Sequence, residues 1–248
     1  MIQLRHVSKS YGGSVKAVDA IDLDVRRGEI FGFLGPNGAG KTTTIKMITG
    51  ILTPDSGDIL VNGLDLRKEP LAVKRSFGFV PDDPNIFPRL KAVEYLRFMG
   101  DIYQVPPDRR RERIQELTER FSLDEALTDR IQSYSHGMRQ KLMIIGALLH
   151  DPDLWILDEP MTGLDPKSAF VLKEMMRAQA DSGKTVFFST HVLDVAEKVC
   201  DRVAVIDRGR ILFCGSIADM QRQFRQDGSL ESMFLELVNH SETAGEMA

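Results

Sequence analysis

The sequence predicts an α/β protein in which a mixed, largely parallel sheet carries an inserted α-helical subdomain. Short apolar runs alternate with helical stretches toward both ends of the chain, which is the rhythm of β-α-β units. A glycine-rich string, Gly35 to Thr43, stands where an apolar run gives way to a helical one. Between Pro88 and His150 the pattern turns to helical length and helical spacing throughout.

In chain order, the N-terminal MIQLRHVSKSY is a charged, strand-like segment, and strands are expected at Ile21–Val25 and Ile30–Leu34. A helix through Ile45–Ile48 follows the glycine string. The turn residues Thr53-Pro54-Asp55-Ser56-Gly57 then lead to strands at Ile59–Val61 and Phe77–Val80. Helices are expected at Val93–Tyr103, Arg109–Phe121 and Met138–Leu149. Strands return at Leu154–Leu157, Val186–Ser189 and Val203–Ile206, with a helix at Lys167–Ala180 supplying the long crossover that parallel strands need. Helical pieces Ile217–Phe224 and Leu230–Val238 end the pattern, and the polar residues after Asn239 read as frayed. The expected division is an α/β core from residues 1–87 and 151–215, a helical subdomain at 88–150 and a C-terminal helical tail at 216–248.

The 248 residues are 42% hydrophobic, enough for a sizeable core. With 32 Lys and Arg against 36 Asp and Glu, the net charge of −4 gives no basic footprint, so no nucleic-acid partner is expected. Arg109-Arg110-Arg111 alternates with Glu112, Glu116 and Glu119 as a solvated helix face does. The two cysteines, Cys200 and Cys214, lack metal-ligand spacing and read as reduced thiols of a cytoplasmic protein. The N-terminus has no secretion-signal pattern, and apolar runs such as Leu142–Leu149 fall short of the ~20 residues a spanning helix needs.

The chemistry begins at Gly35-Pro36-Asn37-Gly38-Ala39-Gly40-Lys41-Thr42-Thr43. In a strand-loop-helix frame this is a phosphate-binding loop: the glycines let backbone N–H groups curl around phosphate oxygens, and the helix aims its positive end at them. Lys41 adds a charge and Thr42 a hydroxyl for Mg²⁺, so a nucleoside triphosphate is the expected ligand. Leu154–Leu157 runs into Asp158 and Glu159, placing two carboxylates at a strand's C-terminal end, where open α/β sheets bind ligands. Asp158 suits the Mg²⁺ shell and Glu159 suits a general base for an attacking water. Taken singly, Ser135 and Gly137 mark only a capped helix, His191 a histidine at a strand end, and Tyr11 an aromatic in the turn Tyr11-Gly12-Gly13.

Their joint order is more specific. Tyr11, GPNGAGKTT, FGFVPDD, YSHGMRQ, LWILDEP, GLD and STH follow one another as in the ATP-binding subunit of an ABC transporter, which this chain resembles from about Ile2 to Gly215. The resemblance implies a P-loop ATPase core using ATP and Mg²⁺. Tyr11 would stack on adenine, residues 35–43 would hold the phosphates, and Thr42 and Asp158 would serve Mg²⁺. Glu159 would be the base, His191 would contact the γ-phosphate, and Asp165 would reach across a dimer interface. Ser135 and Gly137 would bind the γ-phosphate held by an opposite subunit, either a second copy or a related chain. A separate transmembrane permease would dock near Phe87, Tyr95 and Phe98 and hold the chain to the inner face of the plasma membrane.

Two positions depart from the commonest family pattern: Asp82 stands where Gln is usual, and His136 replaces a glycine of LSGGQ. Asp82 is therefore a candidate for Mg²⁺ or water rather than for the amide contact of Gln. These variants, with STHVLDVAEKVCDRVAVIDRGRIL, resemble the bacterial subgroup that exports drugs, antibiotics or peptides. The alternative is a soluble ABC-type ATPase acting on ribosomes or nucleic acid. No NKxD string occurs to support a GTPase.

Overall fold

The computed structural model describes residues 1–12, 15–85, 87–224 and 230–246, and within helices and strands it leaves undescribed the side chains of residues 224 and 239–246. Gly13, part of the turn Tyr11-Gly12-Gly13, lies outside the described residues.

Two sheets form instead of one. Strands β1 (Ile2–Tyr11), β2 (Val15–Val25), β4 (Ser56–Val61) and β5 (Leu64–Asp65) make an antiparallel sheet in the order β2-β1-β4-β5. Its strands mix buried and exposed positions because only one face meets the core. The second sheet runs β10-β9-β3-β8-β7-β6. It contains β3 (Ile30–Leu34), β6 (Phe77–Val80), β7 (Leu154–Leu157), β8 (Thr185–Thr190), β9 (Arg202–Asp207) and β10 (Arg210–Gly215). The pairs β6–β7, β7–β8, β8–β3 and β3–β9 are parallel; β10 closes the edge antiparallel to β9. The expected strands at Ile21–Val25 and Ile59–Val61 therefore join a different sheet from their neighbour Ile30–Leu34. Local periodicity marks strands but does not choose their partners.

β3, β7 and β8 are buried along their whole length, as strands covered on both faces must be. Alternation divides their side chains between two cores. Phe31, Phe33, Leu154, Ile156 and Phe187 pack with Ile2, Leu23, Ile59 and α1 (Lys41–Ile48), between the sheets. Ile30, Trp155, Leu157, Val186 and Phe188 face the helical side. There they meet side chains of α3 (Ala92–Ile102), α4 (Pro107–Arg120), α5 (His136–Leu148) and α6 (Pro166–Asp181).

The helices α2 (Pro70–Arg75) and α7 (Leu193–Val199) and the edge strand β10 were not anticipated; the two helices are too short for a periodic signal. The tail folds back as α8 (Ile217–Phe224) and α9 (Leu230–Glu246). Met220, Leu230, Met233 and Leu237 cover Leu34, Val203 and Val205 in a third cluster. Helix α9 continues past Asn239, where fraying was expected.

The sheet order brings four C-terminal strand ends side by side. β3 delivers the glycine loop, β8 His191, β7 Asp158 and Glu159, and β6 Asp82.

Candidate active site

The loop between β3 and α1 is built to leave donors free. Helix α1 has Gly40 as its N-cap at φ 110° and no side-chain cap, so its first N–H groups are left for an incoming acceptor. Glycine is required at two places by close backbone approach. A Cβ on Gly35 would lie 2.3 Å from the Ile206 carbonyl oxygen, and one on Gly40 would lie 2.4 Å from that of Ala17. Gly38, also at positive φ, faces open space instead. The loop borders a cleft of about 200 Å³ lined by Ala17, Asn37, Gly38, Gly40, Lys41, Thr42, Thr43, Asp82 and Glu159.

Lys41 is 6% exposed, and its ammonium donates to the carbonyls of Gly35 at 2.7 Å and Pro36 at 3.2 Å. It also approaches Glu159 Oε1 to 3.4 Å. The other oxygen of Glu159, Oε2, lies 3.0 Å from His191 Nδ1. Glu159 itself has φ 47°, a left-handed conformation that costs a residue with a side chain free energy and recurs at functional sites. Its carboxylate is thus aimed between a fixed cation and an imidazole at the mouth of the cleft.

Asp158 is buried beside it. Ser189 Oγ donates to Asp158 Oδ1 at 2.5 Å and accepts from Glu159 N at 3.0 Å, so one hydroxyl from β8 fixes both acidic residues of β7's end. Burial raises the Asp158 pKa; hydrogen bonds from Ser189 and Thr42 pull it back, and the charges of Asp82 and Glu159 push it further up. A carboxylate so loaded with negative neighbours is matched to a cation. Thr42, Asp158 and Asp82 offer oxygen ligands only, the donor set that suits Mg²⁺. Among the described residues, no three His, Cys, Asp or Glu side chains are arranged to hold a metal unaided. Mg²⁺ commonly relies on water and phosphate for the remainder of its shell.

Other expected residues lie elsewhere. Ser135 caps α5 by accepting from Met138 N at 3.2 Å, and neither it nor Gly137 lines the cleft. Tyr11 ends β1 at 48% exposure, also outside the lining. Ala39 is buried behind the loop. Asp165 caps α6: its Oδ1 accepts from Ser168 N at 2.9 Å and its Oδ2 from Ser168 Oγ at 2.6 Å. These bonds hold its carboxyl below the usual range. Ser189, Ala17 and Gln140 are contributors that the sequence did not disclose. Ser189 sat inside the STH string, where His191 drew the attention.

A phosphate loop and an acidic strand end that meet at the Lys41–Glu159 contact define a nucleotide-hydrolysing ATPase of the phosphate-loop class. Residues 18–162 match the family model described as ABC transporter, and the chain belongs to that family. It is 38% identical over 220 residues, 89% of this chain and 70% of the relative, to the linearmycin resistance ATP-binding protein LnrL of Bacillus subtilis (strain 168). It is 40% identical, over 89% of this chain and 66% of the relative, to the daunorubicin/doxorubicin resistance ATP-binding protein DrrA of Streptomyces peucetius. A solved ATP-binding subunit of an ABC transporter superposes with TM-score 0.91 at 34% identity, covering 96% of this chain and 99% of that one. The dimeric post-hydrolysis cassette MJ0796, bound to ADP and Pi, gives 0.80 at 25% identity over 88% of this chain and 99% of that one.

Proposed function

We propose that this ATPase powers export through a separate membrane permease, two ATP-binding chains closing face to face around ATP. The observation that carries the hydrolytic half is Glu159, held between Lys41 and His191 at the mouth of the phosphate-loop cleft. Glu159 takes the proton of the attacking water, His191 steadies that water and the γ-phosphate, and Lys41 and the α1 N–H groups offset phosphate charge. Thr42 and Asp158, with Asp82 alongside, would hold Mg²⁺, which would supply positive charge against the phosphate oxygens. Tyr11 stacks on the adenine.

Ser135 and Gly137, standing off their own cleft, serve the nucleotide of the opposite chain, and the loop ending at Asp165 lies at that interface. The dimeric relative and the drug-resistance relatives support this reading.

No helix among the described residues is long and apolar enough to cross a membrane, and the proposal gives the transport path to the permease. Phe87 and Phe98 are 45% and 43% exposed and meet edge-on at 5.5 Å, forming an aromatic patch for the permease. Tyr95 is buried at 2%, so it backs the patch and does not touch the partner. Docking there sets the chain on the cytoplasmic face of the membrane. Affinity purification of the tagged chain from detergent-solubilised membranes tests this: an integral membrane protein is recovered, and a Phe87→Ala, Phe98→Ala chain recovers much less. Recovery of ribosomal or nucleic-acid complexes instead would favour the soluble alternative.

A further inference from the structure

The first turn of α5 does more than present Ser135. His136, Gly137 and Gln140 fall on one side of that turn, and all three meet the segment that follows Glu159. A Cβ on Gly163, whose φ is 75°, would lie 2.2 Å from His136 Cδ2, so the imidazole rests directly against that glycine's backbone. A Cβ on Gly137 would lie 2.5 Å from the Gly163 carbonyl oxygen. One turn on, Gln140 Nε2 donates to the Pro160 carbonyl at 3.3 Å, with Gln140 only 1% exposed.

The segment these residues hold is short and fixed at both ends. Ser189 holds Glu159 N at one end, and the Asp165 cap with Ser168 closes the other. Turns from Thr162 N to the Glu159 carbonyl and from Leu164 N to the Met161 carbonyl make the span compact. α5 braces its middle at Pro160 and Gly163, while Met161 and Leu164 pack against the core of the helical side.

From this geometry we propose that His136 is a positioning residue for the Glu159 of its own chain: its ring wedges Gly163 and so sets the segment on which the catalytic carboxylate is aimed. This rests on the face-to-face dimer proposed above and adds a second duty to α5. Ser135 and Gly137 act across the interface, whereas His136 acts within its chain. A glycine at 136 would leave Gly163 without the wedge.

Mixed dimers of differently tagged full-length chains separate the two directions, with Glu159→Gln silencing one site. In a dimer of a His136→Ala chain with a Glu159→Gln chain, the active site uses the variant chain's own Glu159 and the intact α5 of its partner. In a dimer of unaltered chain with a His136→Ala, Glu159→Gln chain, the active site keeps its own His136 and faces the altered α5. The first dimer should turn over about 10- to 100-fold slower than an unaltered/Glu159→Gln dimer, with the ATP KM unchanged, as expected for a misplaced catalytic group. The second should match that reference. His136→Asn, which keeps an atom at the Cδ2 position, should restore most of the rate in the first dimer.

A normal first dimer, a slow second dimer, or no rescue by Asn overturns the proposal. If the Glu159→Gln chain alone forms no ATP-dependent dimer, the face-to-face reading itself fails and takes this inference with it.

Discussion

Lys41 Nζ stands 3.4 Å from Glu159 Oε1, yet that buried oxygen accepts no hydrogen bond from the described residues. The pair is a charge contact with an acceptor left unmatched in a residue that lines the cleft. Glu159→Gln keeps the shape and removes the basicity. It should lower turnover by about 10²–10⁴-fold while ATP binding persists. Steady-state ATPase assays beside nucleotide-binding titrations check this, and unchanged turnover would remove Glu159 from the mechanism.

Ser189 offers a second test. Its hydroxyl serves Asp158 and the Glu159 amide together, so Ser189→Ala leaves a buried carboxylate short of a donor and a backbone N–H short of an acceptor. Stability should fall by about 1–3 kcal/mol. Turnover should fall as well, since the carboxylate aim depends on the same hydroxyl. Urea denaturation and ATPase rates measured on one preparation give both numbers; a neutral substitution would contradict the bridging role.

Gly40→Ala tests the loop geometry. The added methyl would meet the Ala17 carbonyl at 2.4 Å in a backbone held at φ 110°. The cost should be about 1–3 kcal/mol, taken from stability or from nucleotide affinity as the loop shifts. Isothermal titration with ATP and Mg²⁺ and a thermal melt together should show it.

His150 predicts a pH dependence away from the site. It stacks on Tyr103 at a 3.6 Å centroid distance, and burial lowers its pKa from 6.5 to about 4. The Phe77 backbone and Asp151 oppose burial, and Lys184 and Arg113 add smaller effects in the same direction as burial. Above pH 6.5 the ring is neutral folded or unfolded, and its packing counts in full. Between 6.5 and about 4 only the unfolded chain takes the proton, so as much as about 3 kcal/mol of stability is lost as pH falls. His150→Phe should flatten that part of the stability–pH curve. Parallel curves for the two proteins would show that His150 does not titrate this way.

Much of the site could be read before any coordinates. Lys41, Thr42, Asp158 and Glu159 follow from a glycine string and an acidic strand end, because phosphate binding imposes local constraints on a few consecutive residues. Asp82 became a candidate only through the family resemblance, as the residue standing where Gln is usual, and the structure puts it in the cleft lining. Ser189 and Gln140 were hidden because a serine in a strand and a glutamine in a helix carry no local signature. Their importance lies in what they touch, Asp158 thirty-one positions away and Pro160 twenty positions away.

By itself the amino-acid order determined the class of fold, the loop that takes phosphate and the acids beside it, since each is written in near neighbours and in backbone freedom. Only the tertiary structure decided that the N-terminal strands make their own sheet, that Tyr95 is buried while Phe87 is not, and that His136 rests on Gly163. Those are matters of pairing and packing between distant segments, and they are settled by which arrangement buries the most apolar surface while matching most of the buried polar groups.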